Sequence, residues 1–256
     1  NRDYALSLKK SAAKLNFLLD QGSDDGDSSV FHLKKANSGN KKIAQADIIS
    51  TDYSELPEPF TLKVKSLAIS QINSGYEVPS NNKSFPIGIY SFCINIEDNC
   101  YEFQLDVPKK CTNKEIIIRV INMINHSQAG IMASFVENHK KDTIQAVLKA
   151  EHSGAMNQLA FTLQDISDES GSREIIEYFG LNNVLQYPKN CTFEINGIEK
   201  ESTSNCFTYN KIIKITLNAP SDEEISVTYI PDGDKIAENF FIINNLLSFL
   251  YNSDIV

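Results

Sequence analysis

The sequence predicts an α+β fold: β-rich antiparallel lobes with short helices, flanked by helices at both chain ends. Three observations predict it. Short runs of alternating apolar and polar residues recur from Phe60 to Tyr229. Turn formers, above all Asn196-Gly197, separate those runs. Helical spacing of three and four appears over residues 3–20 and again from Ile236 to Leu250.

The totals fit that class. A chain of 256 residues holds one large domain or two smaller ones. A hydrophobic content of 41% with 22% charged residues is ordinary for a folded protein. Trp is absent, so Ile, Leu, Val and Phe must supply the core. A net charge of −9 argues against a general nucleic-acid or anionic-membrane binder, which presents a basic face. No apolar run approaches the roughly 20 residues of a membrane span. Residues 1–20 lack the continuous apolar stretch and small-residue cleavage site of a secretory signal.

Tyr4, Leu8, Ala12, Leu15 and Leu19 share one face of a first helix, with Asp3 as its expected N-cap. QGSDDGDSS at 21–29 is an acidic linker whose spacing does not match a calcium loop. Residues 30–50 show no clear period. Pro57 and Pro59 precede a strand in which Phe60, Leu62 and Val64 alternate with Thr61, Lys63 and Lys65. Residues 71–86, rich in turn formers, read as a loop between lobes. Tyr90, Phe92, Ile94 and Ile96, then Tyr101, Phe103, Leu105 and Val107, form a hairpin turned by Glu97-Asp98-Asn99.

Thr112 with Glu115 is a capping box, opening a helix from 113 to about 126 with Ile116, Ile117, Val120, Ile121 and Ile124 inward. Ile131, Ala133 and Phe135 predict a strand and Glu137 to Asp142 a turn. Ile144, Ala146 and Leu148 predict a second strand, and Leu159, Phe161 and Leu163 a third. Ser172 precedes a short helix that buries Ile175, Ile176 and Phe179. Gly180 sits where a left-handed C-terminal glycine belongs, with Leu181 as its apolar contact. From Asn190 to Leu217, Phe193 and Ile195 alternate before Asn196-Gly197. Ser202 to Asn205 turns the chain again, and Ile213, Ile215 and Leu217 alternate after it. Ile225, Val227 and Tyr229 give one more strand, and Pro231-Asp232-Gly233-Asp234 breaks it. Ile236, Phe240, Ile243, Leu247 and Leu250 then form an a/d seam. The expected organisation is an N-terminal helix and linker (1–46), a discontinuous β-rich lobe (47–80 with 184–230), an inserted α+β lobe (81–183) and a C-terminal helix (231–256).

Motifs for chemistry are missing. GxSxG, HExxH, the P-loop and GxGxxG after a strand do not occur. His32, His126, His139 and His152 are scattered, and His126 at a helix end is explained by the dipole. Lys34-Lys35 and Lys41-Lys42 bracket a polar turn and read as a solvated face before an anion site. Cys93, Cys100, Cys111, Cys191 and Cys206 are odd in number, with no CxxC and no zinc spacing. They are expected as free, partly buried thiols; in a protein outside the cell, pairing of Cys93 with Cys100 or Cys111 stays open. Asn82, Asn125 and Asn190 head Asn-x-Ser/Thr triplets, which count only in a eukaryotic secreted protein. No catalytic, cofactor or metal residue is expected.

Several blocks, in order, resemble a known family. Val64-Lys65-Ser66-Leu67-Ala68 with Gln71 looks like a V-x-x-L-A-x-x-Q strand end. Gly88 to Ile94 is similar to a G-x-φ-x-φ strand, φ being apolar. Thr112 to Asn125 resembles a T-x-x-x-φ helix ending in Ile-Asn, and Ala129 to Ser134 the strand after it. Leu148 to Gly154 is similar to an L-x-S-x-x-T-G turn, with Ala150 and Ser153 replacing Ser and Thr. Gly180-Leu181 matches a G-L pair. Cys191 to Gly197 resembles A-x-F-x-V-N-G, and Ser204-Asn205 the s-s-N that follows. Ile213 to Leu217 resembles G-v-t-l-x-L, with Ile213 at the Gly. Phe240 to Leu247 looks like F-V-x-x-Y-N-x-L, with Asn244 at the Tyr.

That family is flagellar hook-associated protein 2, the filament cap protein, and the resemblance covers most of residues 59–250. It implies a non-enzymatic structural protein of the bacterial flagellum, without cofactor or active site, exported and extracellular. It implies a homo-oligomeric ring at the filament tip that promotes flagellin insertion. The implied partners are flagellin, other hook-associated proteins and a flagellar export chaperone. The other reading is a surface adhesin or ligand-binding β module.

Overall fold

The computed structural model of the chain describes residues 2–20, 33–50, 53, 55–166 and 174–253. In chain order it begins with α1 (Arg2–Asp20), β1 (Lys34–Ser38), β2 (Ala44–Ile48) and β3 (Phe60–Ser66). Next come β4 (Ile72–Ser74), β5 (Val78–Pro79), β6 (Gly88–Ile96), β7 (Asn99–Val107) and α2 (Asn113–Ser127). β8 (Ile131–Asn138), β9 (Thr143–Ala150), β10 (Thr162–Ile166) and α3 (Ile175–Phe179) follow. The chain continues with β11 (Val184–Gln186), β12 (Cys191–Ile195), β13 (Ile198–Ser202) and β14 (Cys206–Tyr209). It ends with β15 (Ile213–Leu217), β16 (Ile225–Pro231) and α4 (Gly233–Ser253). Antiparallel sheets, short helices and a helix towards each end make this α+β, as the alternating runs predict.

Two compact units emerge. Unit 1 takes Asn1–Val64, Glu194–Glu199 and Cys206–Val256, and unit 2 takes Lys65–Phe193 and Lys200–Asn205. Their boundaries fall within β3, β12 and β13.

In unit 1, one sheet has the order β1-β16-β3-β12-β13 and another β14-β15-β2. Alternation puts Phe60, Leu62 and Val64 of β3 and Ile213, Ile215 and Leu217 of β15 inside. The rings of Phe60 and Tyr209 meet at 4.8 Å, joining the two sheets. Ser38 Oγ donates to the Ala44 carbonyl at 2.6 Å, fixing the turn between β1 and β2. These two strands fill residues that show no period in the sequence. The reason is visible in β1, whose first four residues are all only partly buried.

The helices α1 and α4 pack together through Leu15 and Ile243, with Leu246 and Leu250 alongside. Two corrections apply here. The helix is already under way at Arg2, so Asp3 is not its N-cap. The seam on α4 is not the expected a/d row, because Phe240 and Leu247 remain 51% and 48% exposed while Leu246 packs instead. With apolar residues on most faces, spacing alone does not select the buried one. The break at residues 231–234 stands as expected: the Asp232 carbonyl accepts from Ile236 N at 2.9 Å at the start of α4, and Lys35 sits 3.5 Å from the Asp232 carboxylate.

Unit 2 holds the larger core. α2 buries Ile116, Ile117, Val120, Ile121 and Ile124, as its period predicts. They join Phe92, Ile94 and Leu105 of the β10-β6-β7 sheet and Ala133, Ile144, Ala146 and Leu148 of β8 and β9. The capping box is present in full: Thr112 Oγ1 accepts from Glu115 N, and the Glu115 carboxylate accepts from Thr112 N at 2.7 Å. At α3, Gly180 is left-handed at φ 64°, and Leu181 N donates to the Ile176 carbonyl at 3.0 Å.

The loop expected over residues 71–86 is the main correction in this unit. β4 and β5 lie there, both paired with β9. β4 hides because its buried residue, Asn73, and the neighbouring Gln71 are polar, and β5 because two residues are too few to show a period. Gln71 is fully buried, donating to the Asn73 side chain and Phe161 carbonyl and accepting from Ala160 N at 2.7 Å. Asn73 in turn donates to the Leu181 carbonyl at 3.0 Å. A buried carboxamide with every bond made is stable where an unpaired one is not. Two smaller differences are boundaries: β8 extends through Glu137 and Asn138, and β10 starts only at Thr162. The linker at 21–29, His32 and Ser172 lie outside the described residues, as do the side chains of Tyr4 and Leu19.

Candidate functional site

The Ser153-Gly154 turn after β9 is the seed of the site. Gly154 is buried at φ 66°, its N–H donating to the Ile69 carbonyl at 2.9 Å. A Cβ there would run into the Thr203 backbone and stand 2.6 Å from Asn190 Oδ1. Ser153 Oγ donates to the Thr203 carbonyl at 3.3 Å. Asn190 ties the turn from the other side, accepting from Ala155 N at 3.0 Å and donating to Glu201 at 2.6 Å. Asn205 clamps Ala68 by accepting from its N–H at 2.7 Å and donating to its carbonyl at 2.9 Å. The Cys191 thiol donates to the Ser202 and Ser204 carbonyls.

Ala68, Gly154, Cys191 and Asn205 stand in separate blocks of the sequence resemblance, and within unit 2 they converge on one knot. Their chemistry is architectural. Side-chain amides and one thiol satisfy backbone groups that no strand pairs.

Beside the knot lies a cleft of about 470 Å³. The β6–β7 turn contributes Glu97 and Tyr101, the α2–β8 connection Gln128 to Ile131, and the β9–β10 loop residues from His152 to Phe161. Its floor is apolar, with Ile131, Ala150 and Phe161 buried. Glu97 and Gln128 are both left-handed, at φ 51° and 52°, which turns the chain tightly at the rim.

Of the histidines, His152 lines the cleft. His126 has Nδ1 2.6 Å from the Asn122 carbonyl at the end of α2, and His139 Nδ1 stands 3.8 Å from Glu137. The structure does not bring them together. Among the described residues, no group of three His, Cys, Asp or Glu side chains is placed to hold a metal. Lys35, one candidate for an anion site, is held by Asp234 at 3.0 Å, and that partner raises its pKa.

The five cysteines, all among the described residues, form no disulfide with one another. Burial pushes Cys93, Cys111 and Cys191 upward, away from the reactive thiolate. Asn125 and Asn190 use their side-chain N–H groups within the fold, Asn125 towards the Ala133 carbonyl at 2.9 Å. The sequence places Glu97 in a hairpin turn and Tyr101 in the strand after it, but it does not bring them to Gln128 and Asn157 in one cleft.

No family profile and no curated protein matches the chain by sequence. Solved structures do match. The D1-D2-D3 domains of the flagellar cap protein FliD from Escherichia coli align with a TM-score of 0.68 at 15% identity. The alignment covers 98% of this chain and 71% of that one. The fold is that of flagellar cap proteins. The D2-D3 domains of the same protein align at 0.61 and 16% identity, over 78% of this chain and all of that one. FliD (HAP2) from Pseudomonas aeruginosa aligns at 0.57 and 14%, over 84% of this chain and 97% of that one. The likeness of fold therefore stands at low sequence identity. In this chain the bonds of the Gly154 knot run mostly to backbone atoms.

Proposed function

We propose that this chain works as a cap-type hook-associated protein: a non-enzymatic part of the bacterial flagellum that assembles at the filament tip and promotes flagellin insertion. The observation that carries the reading is the cap-protein fold over 98% of the chain. In this reading the protein is exported to the extracellular filament tip, forms a homo-oligomer in its full-length form, and meets flagellin and the other hook-associated proteins there. A flagellar export chaperone delivers it. The net charge of −9 and the lack of any catalytic motif agree with a structural role.

The test is deletion of the gene in its own host. Cells without it are expected to release unpolymerised flagellin into the medium and to lack full-length filaments, and the restored gene returns them. Normal filament length and no released flagellin in the deletion strain would overturn the reading.

A further inference from the structure

The cleft of unit 2 has a composition that the cap reading does not use. Its floor is apolar and concave, formed by Ile131, Leu159, Ala160 and Phe161. Met156, 81% exposed, stands at its edge. Such a floor takes a bulky apolar side chain, and an exposed thioether adapts to its shape.

Around it stand four hydrogen-bonding side chains: Glu97, Tyr101, Gln128 and Asn157. None of the four side chains bonds to another described residue. Gln128 and Asn157 are carboxamides, each able to donate and accept, as a peptide backbone requires. Glu97 puts a negative charge at the mouth, where a basic residue would be favoured. A sugar site would call for a flat aromatic platform, and here only the Tyr101 ring is near the rim.

We infer that the unit 2 cleft is a peptide-binding site: it seats one bulky apolar side chain and selects a basic residue next to it. Occupancy would leave the Gly154 knot unchanged, since those bonds are already closed. The inference goes beyond the cap reading and does not depend on it.

The test is fluorescence anisotropy of the 256-residue chain with short fluorescein-labelled peptides centred on Phe-Lys, Phe-Glu or Ser-Lys. The Phe-Lys peptide is expected to bind saturably, and the other two about tenfold more weakly. Glu97→Lys should reverse the order of Phe-Lys and Phe-Glu. Asn157→Ala, in an exposed loop, should weaken both equally and carries the test if Glu97→Lys disturbs its turn. Saturation by none of the peptides, or an order untouched by Glu97→Lys, would overturn the inference. So would binding of an N-acetylglucosamine oligosaccharide that the Phe-Lys peptide fails to displace.

Discussion

Two glycines with the same backbone sign separate strain from space. Asn196 and Gly197 both have positive φ, 52° and 75°, so the turn between β12 and β13 needs both residues left-handed. Asn196 also accepts from Thr61 N at 2.9 Å and donates its own N–H to the Thr61 carbonyl, which fixes the register against β3. Nothing lies within 4 Å of a Cβ at Gly197. Gly197→Val is therefore expected to cost only backbone strain, about 1–2 kcal/mol. Gly154→Ala adds a collision with the Thr203 backbone and should cost about 3 kcal/mol or more. Urea midpoints of the two variants check this, and equal losses would show that the turn at 154 relaxes freely. Tyr229 makes a third case. Its hydroxyl is buried with no partner among the described residues, and burial, with Tyr209 and Glu58 nearby, pushes its pKa up to about 12. Tyr229→Phe removes an unsatisfied polar atom and keeps the ring, so stability should rise by about 1 kcal/mol. A fall on thermal melting would mean that the hydroxyl has a bond after all. Asn196-Gly197 was legible in the sequence because that pair has few other uses. Gly154 was legible as part of a turn, but its close packing was not, because only the fold brings Thr203 and Asn190 against it.

Among the elements, α2 was legible to within a residue, and β4 not at all. The difference is physical: α2 announces itself by a cap and an apolar period, whereas β4 is short and its inward groups are carboxamides. The cap of α2 gives a pH prediction. Hydrogen bonds from Thr112, backbone first and then hydroxyl, hold the Glu115 pKa below the usual glutamate range. A carboxylate depressed in the folded state stabilises above its unfolded pKa, and that contribution is lost as pH falls through the folded value. Glu115→Gln should therefore be less stable than the parent at neutral pH, and the gap should close as pH drops below the usual carboxylate range. Denaturant titrations at both pH values measure it. A gap that is constant across them would show that Glu115 acts through size and not charge. The seam of α4 carries a related lesson. A helix whose apolar residues surround it has several candidate faces, and only its partner α1 decides that Leu246 packs while Leu247 does not.

At the scale of the molecule, the fold class and the cap resemblance were legible, because alternation and turns specify the fold even where identity to solved cap structures is only 14–16%. The cleft was not, because Glu97, Gln128, Asn157 and Thr203 come from four separate stretches with no motif between them. The separation into units has a consequence that thiol chemistry can read. Cys93, Cys111 and Cys191 are buried in unit 2, while Cys100 and Cys206 are exposed. The α1–α4 contact through Leu15 and Ile243 belongs to unit 1 and shares no residue with the unit 2 core. Deleting residues 1–20 strips the cover from Ile243, so binding of an apolar dye to the protein should rise. The core of unit 2 keeps every one of its own contacts. Iodoacetamide labelling followed by mass spectrometry should then still find two fast and three slow thiols, as in the parent. If all five label at one rate, unit 2 draws its stability from the terminal helices and the two units fold as one.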